Sequence, residues 1–414
     1  MIDYTDRLSR SATHMQESEI RKMGVLGGRV PDLISLAAGY PDPTTFAWDD
    51  YRAIAAQLLA SKDGAVLQYG PTRGYRPLLE SLIEIMASRG VHATVEDVVI
   101  TTGSQQGLDL VARLLLDPGD VALVELPTYT GAMMAFRNAM GTMAGVRQGK
   151  DGIDLDHLDR TLMHHRSQGR QVVFLYVTPN FQNPTGILLP REKRLALLEW
   201  AARRDLLIVE DDPYGVLYFE DSATDADTRP IKADDEEGRV IYLSTFSKTL
   251  TPGFRVGWLT ASPALTAKVE TAKQAMDLCT SGLDQRIVHE AIANGVLTRQ
   301  IPGLRRHYRH KRDVMEQALA AEMPETSWVQ PRGGFFIWLE LSRDVDAEAL
   351  VPKAIDQRVL YVAGATFFAE ASARNFIRLA FSGALPARIV EGITRLARAV
   401  HAESVISSSS RKTE

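Results

Sequence analysis

The chain has 414 residues, and at about 100–200 residues per domain this length allows two or three folding units. With 45% hydrophobic and 24% charged residues, the composition is that of a globular protein and excludes a disordered, collagen-like or coiled-coil chain. The 47 basic and 52 acidic residues give a net charge of −5, which argues against nucleic acid as a main partner. The single cysteine, Cys279, excludes an internal disulfide framework and a cysteine-rich metal site.

The sequence indicates neither a membrane span nor a secretory signal. No apolar run approaches the roughly 20 residues that cross a bilayer. Residues 1–10 mix acidic and basic side chains, whereas a signal peptide has an apolar stretch there. We therefore expect a cytoplasmic protein with no membrane partner.

In chain order, the predicted elements are an N-terminal arm and then alternating strands and helices. The arm has one predicted helix at about 17–26. Short β-branched runs then alternate with helical periodicity, and strands are predicted at 97–101, 121–125, 171–177, 206–210, 240–244 and 255–259. Buried strands separated by helices form βαβ units, which predicts an α/β fold with a parallel or mixed sheet covered by helices.

The pattern changes after about residue 285. A long charged helix is predicted at 304–320, followed by widely spaced strands at 334–339 and 375–381, which indicates a smaller α+β domain. We therefore divide the chain into an arm at 1–50, a large domain at 51–290, a small domain at 291–405 and a disordered tail at 406–414.

The strongest chemical signal is a lysine in a hydroxyl-rich loop directly after a predicted strand. Lys248 follows Thr245 and Ser247 and precedes Arg255. Burial disfavours the charged form of a lysine, and a neutral amine can form a Schiff base with a carbonyl. The two hydroxyls and the guanidinium suit a phosphate monoester. A lone lysine is usually a solvated charge, but this loop favours a chemical role.

A second signal is a group of acids at the end of the predicted strand 206–210. Asp211 lies where open α/β sheets bind ligands, and it could pair with a cationic ring nitrogen, with Tyr214 further along the loop. The alternative is that an acid at a strand end caps the next helix. Glu210, Asp211 and Asp212 also resemble metal ligands, but no histidine lies close in sequence, so we expect no metal.

Three weaker signals lie after other predicted strands. Gly103, Ser104 and Gln105 open a helix, whose free N–H groups and dipole can bind an anion, although such joints are common. Asn183, in an Asn-Pro loop, could bind a phenolic oxygen or belong to an ordinary turn. Tyr129 could offer a flat face to a ring or be a core aromatic.

Together these segments resemble the fold-type I pyridoxal-phosphate aminotransferases, and most of all the 2-aminoadipate/kynurenine aminotransferase group. The resemblance covers about residues 17–381. The motifs that carry it, in the family's order, are Asn183-Pro-Thr-Gly, Asp211-x-x-Tyr214 and Ser247-Lys248 with Arg255. The resemblance implies a mixed, mostly parallel seven-stranded sheet with helices on both faces, a smaller α+β domain, and a homodimer with shared active sites. It also implies that the N-terminal arm packs with the small domain as a lid over the active site.

The resemblance also implies a role for each matching residue around pyridoxal 5'-phosphate. Lys248 would bind the cofactor as a Schiff base and later move the proton of the substrate's α-carbon, while Asp211 would keep the pyridine nitrogen protonated. Asn183 and Tyr214 would hold the phenolate oxygen, and Tyr129 would stack on the ring. The residues implied to bind the phosphate are Ser104, Gln105, Thr245, Ser247 and Arg255, with Tyr69 reaching in from the other subunit.

The same resemblance implies the substrate side of the site. Arg378 would bind the α-carboxylate, because a guanidinium suits bidentate contact with a carboxylate, and Gly39 would line that pocket. Arg21, on the predicted N-terminal helix with the apolar Ile20 and Met23, would either meet a distal carboxylate or be a solvated helix charge. The implied reaction is ping-pong transfer from 2-aminoadipate, an aromatic or a large aliphatic L-amino acid to a 2-oxo acid such as 2-oxoglutarate.

Two residues depart from the family pattern. Thr245 stands where serine is commoner, and Ala363 stands where proline is frequent.

Two other functions are alternatives to the aminotransferase interpretation. A β-lyase or decarboxylase on the same fold would use the same cofactor residues. A transcription regulator with an aminotransferase-like domain would need a DNA-binding module before Pro31, and we expect the short preceding segment to hold none.

Overall fold

The computed structural model describes residues 2–18, 22–23, 25, 30–370 and 374–410. Its helices, in chain order, are α1 Arg10–His14, α2 Trp48–Ala60, α3 Arg76–Ser88, α4 Ser104–Leu115, α5 Thr130–Asn138, α6 Leu155–Ser167, α7 Arg191–Arg204, α8 Pro263–Met276, α9 Gly282–Ala293, α10 Val296–Glu322, α11 Val351–Asp356 and α12 Pro386–Ser410. Its strands are β1 Ile34–Ser35, β2 Val98–Thr102, β3 Val121–Leu126, β4 Thr142–Gly149, β5 Gly152–Ile153, β6 Val172–Val177, β7 Leu207–Asp211, β8 Val240–Thr245, β9 Val256–Thr260, β10 Ser327–Trp328, β11 Phe336–Glu340, β12 Val359–Leu360, β13 Val362–Ala363 and β14 Phe376–Ala380.

The largest sheet has eight strands in the spatial order β2-β9-β8-β7-β6-β3-β4-β5. The strands from β8 through β7, β6 and β3 to β4 pair in parallel, whereas β9 is antiparallel to both of its neighbours. The mixed, mostly parallel sheet of an α/β fold is therefore confirmed. It has one strand more than expected, because the two-residue β5 pairs antiparallel with β4 at the edge.

The central strands are continuous apolar runs because helices cover both faces of this sheet. Successive side chains of β6 point to opposite faces of the sheet and are buried in different clusters. Phe174 is buried in one cluster with Leu108 of α4, and Leu175 is buried in another with Leu197 of α7. This burial explains why most strands were predicted to within a residue or two. The sequence does not predict β4, because Gly145, Gly149 and several polar residues interrupt its apolar character.

A second sheet has the strand order β10-β11-β14-β13 and is antiparallel throughout. Helices α10 and α12 pack together beside it, and Tyr308, Leu339 and Ile393 belong to one buried cluster there. The arm joins this region through β1, which pairs in parallel with β12. The predicted helix at 304–320 is the inner part of the longer α10.

The chain ends differ in part from the expectations. Helix α1 precedes the helix predicted at 17–26, and half of that segment, residues 19–21, 24 and 26, lies outside the described residues. Helix α12 extends to Ser410, into the segment expected to be a disordered tail, and residues 411–414 lie outside the described residues. Among the helices of the described residues, none has the length and apolar character needed to cross a lipid bilayer.

Candidate active site

A cavity of about 940 Å³ lies where the loops after several central strands meet β14 and the segment after β1. The predicted site residues around it are Gly39, Ser104, Gln105, Tyr129, Asn183, Asp211, Tyr214, Thr245, Ser247, Lys248, Arg255 and Arg378. Tyr69 is 80% exposed in the connection between α2 and α3, and Arg21 lies outside the described residues. The fold therefore brings together residues that are up to 339 positions apart, from Gly39 to Arg378.

Lys248 follows β8 and projects its amine into a mostly enclosed environment. Its Nζ donates a hydrogen bond to the carbonyl oxygen of Gly39 at 3.3 Å and lies 5.9 Å from the ring centroid of Tyr214. Burial, together with the positive charges of Arg255 and Arg378, lowers the pKa of Lys248 to about 8, against the opposing effect of Asp211. Near neutral pH a larger fraction of this amine is therefore neutral than in a solvated lysine, which favours its action as a nucleophile.

Asp211, the last residue of β7, is 3% exposed. Its Oδ2 accepts a hydrogen bond from the Tyr176 hydroxyl at 2.9 Å, while its buried Oδ1 has no hydrogen-bond partner among the described residues. Burial raises the pKa of Asp211 to about 7, although the Tyr176 hydrogen bond opposes that rise. A buried polar atom without a partner is uncommon in proteins, and because Asp211 lines the cavity, this oxygen is available to a ligand.

The N-terminus of α4 and the loop after β8 form an anion-binding cradle. Gly103, with φ of 74°, precedes α4, so the first-turn N–H groups of Ser104 and Gln105 lie at the positive end of the helix. A Cβ on Gly103 would lie 2.4 Å from Nη2 of Arg255, and a Cβ on Gly257 would lie 2.7 Å from the backbone nitrogen of Ser104. Glycine at both positions therefore allows Arg255 and the start of α4 to pack this closely.

Hydroxyl groups and Arg255 complete the cradle. Thr245 Oγ1 donates to Ser247 Oγ at 2.9 Å, and Arg255 Nη1 donates to the same oxygen at 3.5 Å. Because threonine keeps the hydroxyl of the commoner serine, the departure at Thr245 preserves this geometry. One guanidinium, two hydroxyls and a helix N-terminus are a set of donors that suits a phosphate dianion.

Two tyrosines lie between the cradle and the strand ends. Tyr129, at the N-terminus of α5, donates from its hydroxyl to Gln105 Oε1 at 3.3 Å, and Gln105 Nε2 donates to the carbonyl of Gly131 at 2.8 Å. Tyr214 is 3% exposed, and burial raises the pKa of its hydroxyl well above the usual value. Tyr214 therefore stays protonated and acts as a hydrogen-bond donor or acceptor.

Arg378 in β14 is the largest fully buried side chain, with 1% exposure. Its Nη1 donates to Asn183 Oδ1 at 2.8 Å and its Nη2 donates to the carbonyl oxygen of Ala37. Its buried Nε has no partner among the described residues, and its guanidinium lies 4.4 Å from the ring centroid of Phe336. The site thus holds a buried cation with a donor left over for a ligand.

Gly39 and Phe336 shape the space beside that cation. A Cβ on Gly39 would lie 2.4 Å from the Phe336 ring, so a larger residue would displace the ring from under Arg378. The sequence did not identify Phe336 or Tyr176 as site residues, because aromatic side chains in apolar strands are usually core residues.

The three neighbouring acids at the end of β7 have different partners. Glu210 accepts hydrogen bonds from the backbone nitrogens of Ile231 and Lys232, each at 2.8 Å. Asp212 accepts from Arg89 at 2.6 Å, and only Asp211 faces the cavity. The resemblance of these residues to a metal cluster is therefore a property of the sequence alone.

Comparison with known proteins identifies the family to which the chain belongs. The family model "Aminotransferase class I and II" matches residues 31–396. The aromatic-amino-acid aminotransferase 1 of Thermococcus litoralis is 40% identical over 404 residues, which are 97% of this chain and 96% of that protein.

Solved structures agree with the family match. The kynurenine aminotransferase of Pyrococcus horikoshii, solved in complex with PMP, has a TM-score of 0.91 and 39% identity, covering 97% of this chain and 98% of that one. The α-aminoadipate aminotransferase of Thermus thermophilus, complexed with N-(5'-phosphopyridoxyl)-L-leucine, has a TM-score of 0.89 and 36% identity, covering 98% and 100%. The chain therefore belongs to the class I and II aminotransferase family and is a pyridoxal-phosphate-dependent aminotransferase.

Proposed function

We propose that the chain transfers the amino group of an L-amino acid to a 2-oxo acid, with the cofactor bound between Lys248, Asp211 and the cradle of α4. The observation that carries this proposal is the unpartnered Oδ1 of Asp211, in a cavity that also holds a partly buried lysine and a phosphate-type cradle. These three features match the pyridine nitrogen, the aldehyde and the phosphate of pyridoxal phosphate.

The residues present fit the cofactor in size and charge as well. The glycines at 103 and 257 allow Arg255 and the start of α4 to pack closely, and Ser104 and Arg255 both line the cavity in which a phosphate would lie. An ionised Asp211 would meet a protonated ring nitrogen with its free oxygen. Asn183 and Tyr214 lie in the same cavity and supply an amide and a phenol for the ring oxygen, with Tyr129 as the stacking face.

When bound, pyridoxal phosphate supplies an aldehyde that reacts with amines and a ring that delocalises the electrons of a breaking bond. Arg378 orients the amino acid by holding its carboxylate. Lys248 then accepts the proton from the substrate's α-carbon, since its lowered pKa suits a general base near neutral pH. Asp211 holds the charge of the ring nitrogen in place, and the enclosed position of the lysine limits the access of water.

The two stages of a ping-pong reaction use the same residues. The 2-oxo acid product leaves with its carboxylate released by Arg378, and the acceptor's carboxylate then binds there. A β-lyase or a decarboxylase could use the same cofactor contacts, and no observation in the structure favours either. Purified protein should form the oxo acid of the donor over many turnovers only when an acceptor such as 2-oxoglutarate is present, and without an acceptor it should release at most one equivalent per active site. Continued release of product without an acceptor would favour a lyase or decarboxylase.

For substrates we propose 2-aminoadipate and aromatic or large aliphatic L-amino acids. Support comes from the aromatic, kynurenine and α-aminoadipate activities in the names of the relatives and from the leucine adduct in one of them. Arg21, which we propose binds the distal carboxylate of the substrate, lies outside the described residues. Arg21→Ala should lower kcat/KM for 2-aminoadipate by roughly ten- to a hundredfold while sparing leucine. Equal losses for both substrates would remove the proposed carboxylate contact.

We also propose a cytoplasmic homodimer with shared active sites. Supporting it, Tyr69 is 80% exposed in the single chain and is free to reach a neighbour, although it does not line this chain's own cavity. Mixing inactive Lys248→Ala protein with Tyr69→Phe protein should yield hybrids in which one of the two sites is intact. An active enzyme that is monomeric by light scattering would contradict the dimer.

A further inference from the structure

Two buried charges, Asp42 and Lys311, meet outside the cavity lining. Asp42 is 2% exposed and Lys311 is 1% exposed. Lys311 Nζ donates to Asp42 Oδ2 and to the carbonyl oxygen of Ser382 at 2.8 Å. His307 Nε2 lies 2.9 Å from the same carboxylate oxygen, while Asp42 Oδ1 accepts from the backbone nitrogen of Thr44 at 3.0 Å.

The pair joins three segments of the chain, and two of them carry the substrate side of the site. Asp42 ends a strap of residues 37–42, in which the carbonyl of Ala37 accepts from Arg378 and the carbonyl of Gly39 accepts from Lys248. Ser382 follows β14, the strand that carries Arg378. Lys311 lies on α10 and bonds to both. One ammonium group thus fixes the strap relative to the strand of the carboxylate-binding arginine.

Stability alone does not require charged groups at this position. Removing two charges from water is costly, and well-packed hydrophobic residues of similar volume often stabilise a fold as well or better. Burial works against both charges, but the hydrogen bonds from Lys311 and Thr44 keep the pKa of Asp42 at about 2. What an ion pair provides here is a fixed direction and distance between the segments it joins.

We propose that Asp42 and Lys311 are positioning residues for the substrate's carboxylate: they hold the strap at the distance from β14 that leaves Arg378 aimed into the cavity. This inference rests on the proposed function, because it assumes that Arg378 binds the carboxylate. The pair contacts the strap and the end of β14, whereas the cofactor's phosphate would lie at α4. Loss of the pair should therefore weaken the binding of the amino acid and leave the binding of pyridoxal phosphate unchanged.

Arg312, the next residue of α10, offers a matched control. It is 2% exposed and is also an ion-paired cation, since its Nη2 donates to Asp221 and Asp313. Its Nη1 donates to the carbonyl of Pro331 at 3.0 Å, so its partners belong neither to the strap nor to β14. Arg312→Met therefore reports the cost of removing a buried cation from the same helix.

The experiment measures two equilibrium constants by absorbance in holoenzyme variants. One is the dissociation constant of pyridoxal phosphate, and the other is that of a 2-methyl amino acid, which binds but has no α-hydrogen to lose. In Lys311→Met and in Asp42→Asn we expect the 2-methyl amino acid to bind about tenfold more weakly, with an unchanged constant for the cofactor. The double variant should regain thermal stability, because no unpaired charge remains, but should not regain affinity. Arg312→Met should bind both compounds as the wild type does.

Three results would overturn the inference. One is unchanged affinity for the 2-methyl amino acid in Asp42→Asn, which decides the matter if Lys311→Met does not fold. Another is an equal loss in Arg312→Met, and the third is a double variant that regains affinity and stability together. A wild-type chain that takes up no pyridoxal phosphate would overturn the proposed function, and this inference with it.

Discussion

Two adjacent acids at the end of β7 have opposite surroundings although both are almost fully buried. Asp212 is 1% exposed, and both of its carboxylate oxygens have partners. Oδ2 accepts from Arg89 at 2.6 Å and from Tyr242 at 3.0 Å, and Oδ1 accepts from Asn180 at 2.9 Å. Asp212 therefore belongs to a hydrogen-bond network in which both of its oxygens are satisfied.

Asp211, on the other hand, has one partnered and one unpartnered oxygen. The Tyr176 hydroxyl donates a hydrogen bond to Oδ2, and the buried Oδ1 lacks a partner among the described residues. Burying a polar atom without a hydrogen bond costs free energy. An unsatisfied oxygen at the cavity wall therefore distinguishes Asp211, which can bind a ligand, from Asp212, which has the same side chain but no unsatisfied oxygen.

The largest effect expected from this comparison is on the activity of Asp211→Ala. Removing one member of a buried charge pair costs on the order of 3–5 kcal/mol, so transamination should fall roughly a hundred- to a thousandfold or more. The free energy of unfolding of the apo protein should not fall near neutral pH, because the lost carboxylate had an unsatisfied oxygen and was costly to ionise in its buried position. Steady-state kinetics and urea unfolding measure the two effects. Near-normal turnover would transfer the role to another acid, with Asp212 the first candidate.

Asp212→Ala should show the reverse pattern. The guanidinium of Arg89, whose side chain is 16% exposed, would lose its carboxylate, and we expect about 3 kcal/mol of lost stability in urea unfolding. Turnover of the remaining folded protein should fall less than in Asp211→Ala. If the variant were as stable as the wild type, Asp212 would not be the structural acid described above.

Two buried tyrosines provide a matched pair of smaller substitutions. Tyr176 is 0% exposed and Tyr242 is 1% exposed, and each donates a hydrogen bond to one of the two acids. Because a hydrogen bond to a charged group contributes about 1.5–3 kcal/mol, Tyr176→Phe should lower kcat/KM and weaken cofactor binding by roughly tenfold or more. Tyr242→Phe should reduce stability and leave cofactor binding unchanged. Similar cofactor affinities in the two variants would contradict the assignment of Tyr176 to the site.

The last expected effect, a gradual slope rather than a single loss, is on the pH dependence of apo-protein stability. Burial raises the pKa of Asp211 from 3.8 to about 7, so between these values the folded chain holds a proton that the unfolded chain has released. Stability should therefore fall as the pH rises from about 4 to about 7, by up to about 1.4 kcal/mol per pH unit from this group. Asp211→Asn should remove that part of the slope in thermal melts, while Glu125 and Glu210, whose pKa values burial also raises to about 7, maintain the rest. An unchanged slope would mean that Asp211 is ionised in the apo protein.

The sequence predicted the parts of the molecule whose signals are local. Buried parallel strands are continuous apolar runs, so β6 and β8 were predicted close to their observed bounds. The residues after these strands, such as Lys248 and Asn183, stand out because they are polar at strand ends.

The parts that could not be predicted depend on contacts between distant residues. From its sequence context Tyr176 is predicted to be a core aromatic residue. Only the parallel pairing of β6 with β7 places its hydroxyl beside Asp211. Asp42 and Lys311 are 269 positions apart, and neither has a local pattern that indicates a partner. Strand β4 lacks a distinctive apolar run, because its glycines and polar residues resemble a loop.

Reduction with borohydride, followed by peptide mapping, tests the central claim most directly. Borohydride reduces a Schiff base to a stable amine, so it should bleach the visible absorbance of the purified protein and fix the cofactor covalently. We predict that the labelled peptide contains Lys248 and that Lys248→Ala protein is not labelled. A protein that takes up no pyridoxal phosphate, or that carries the label on another lysine, would contradict the account.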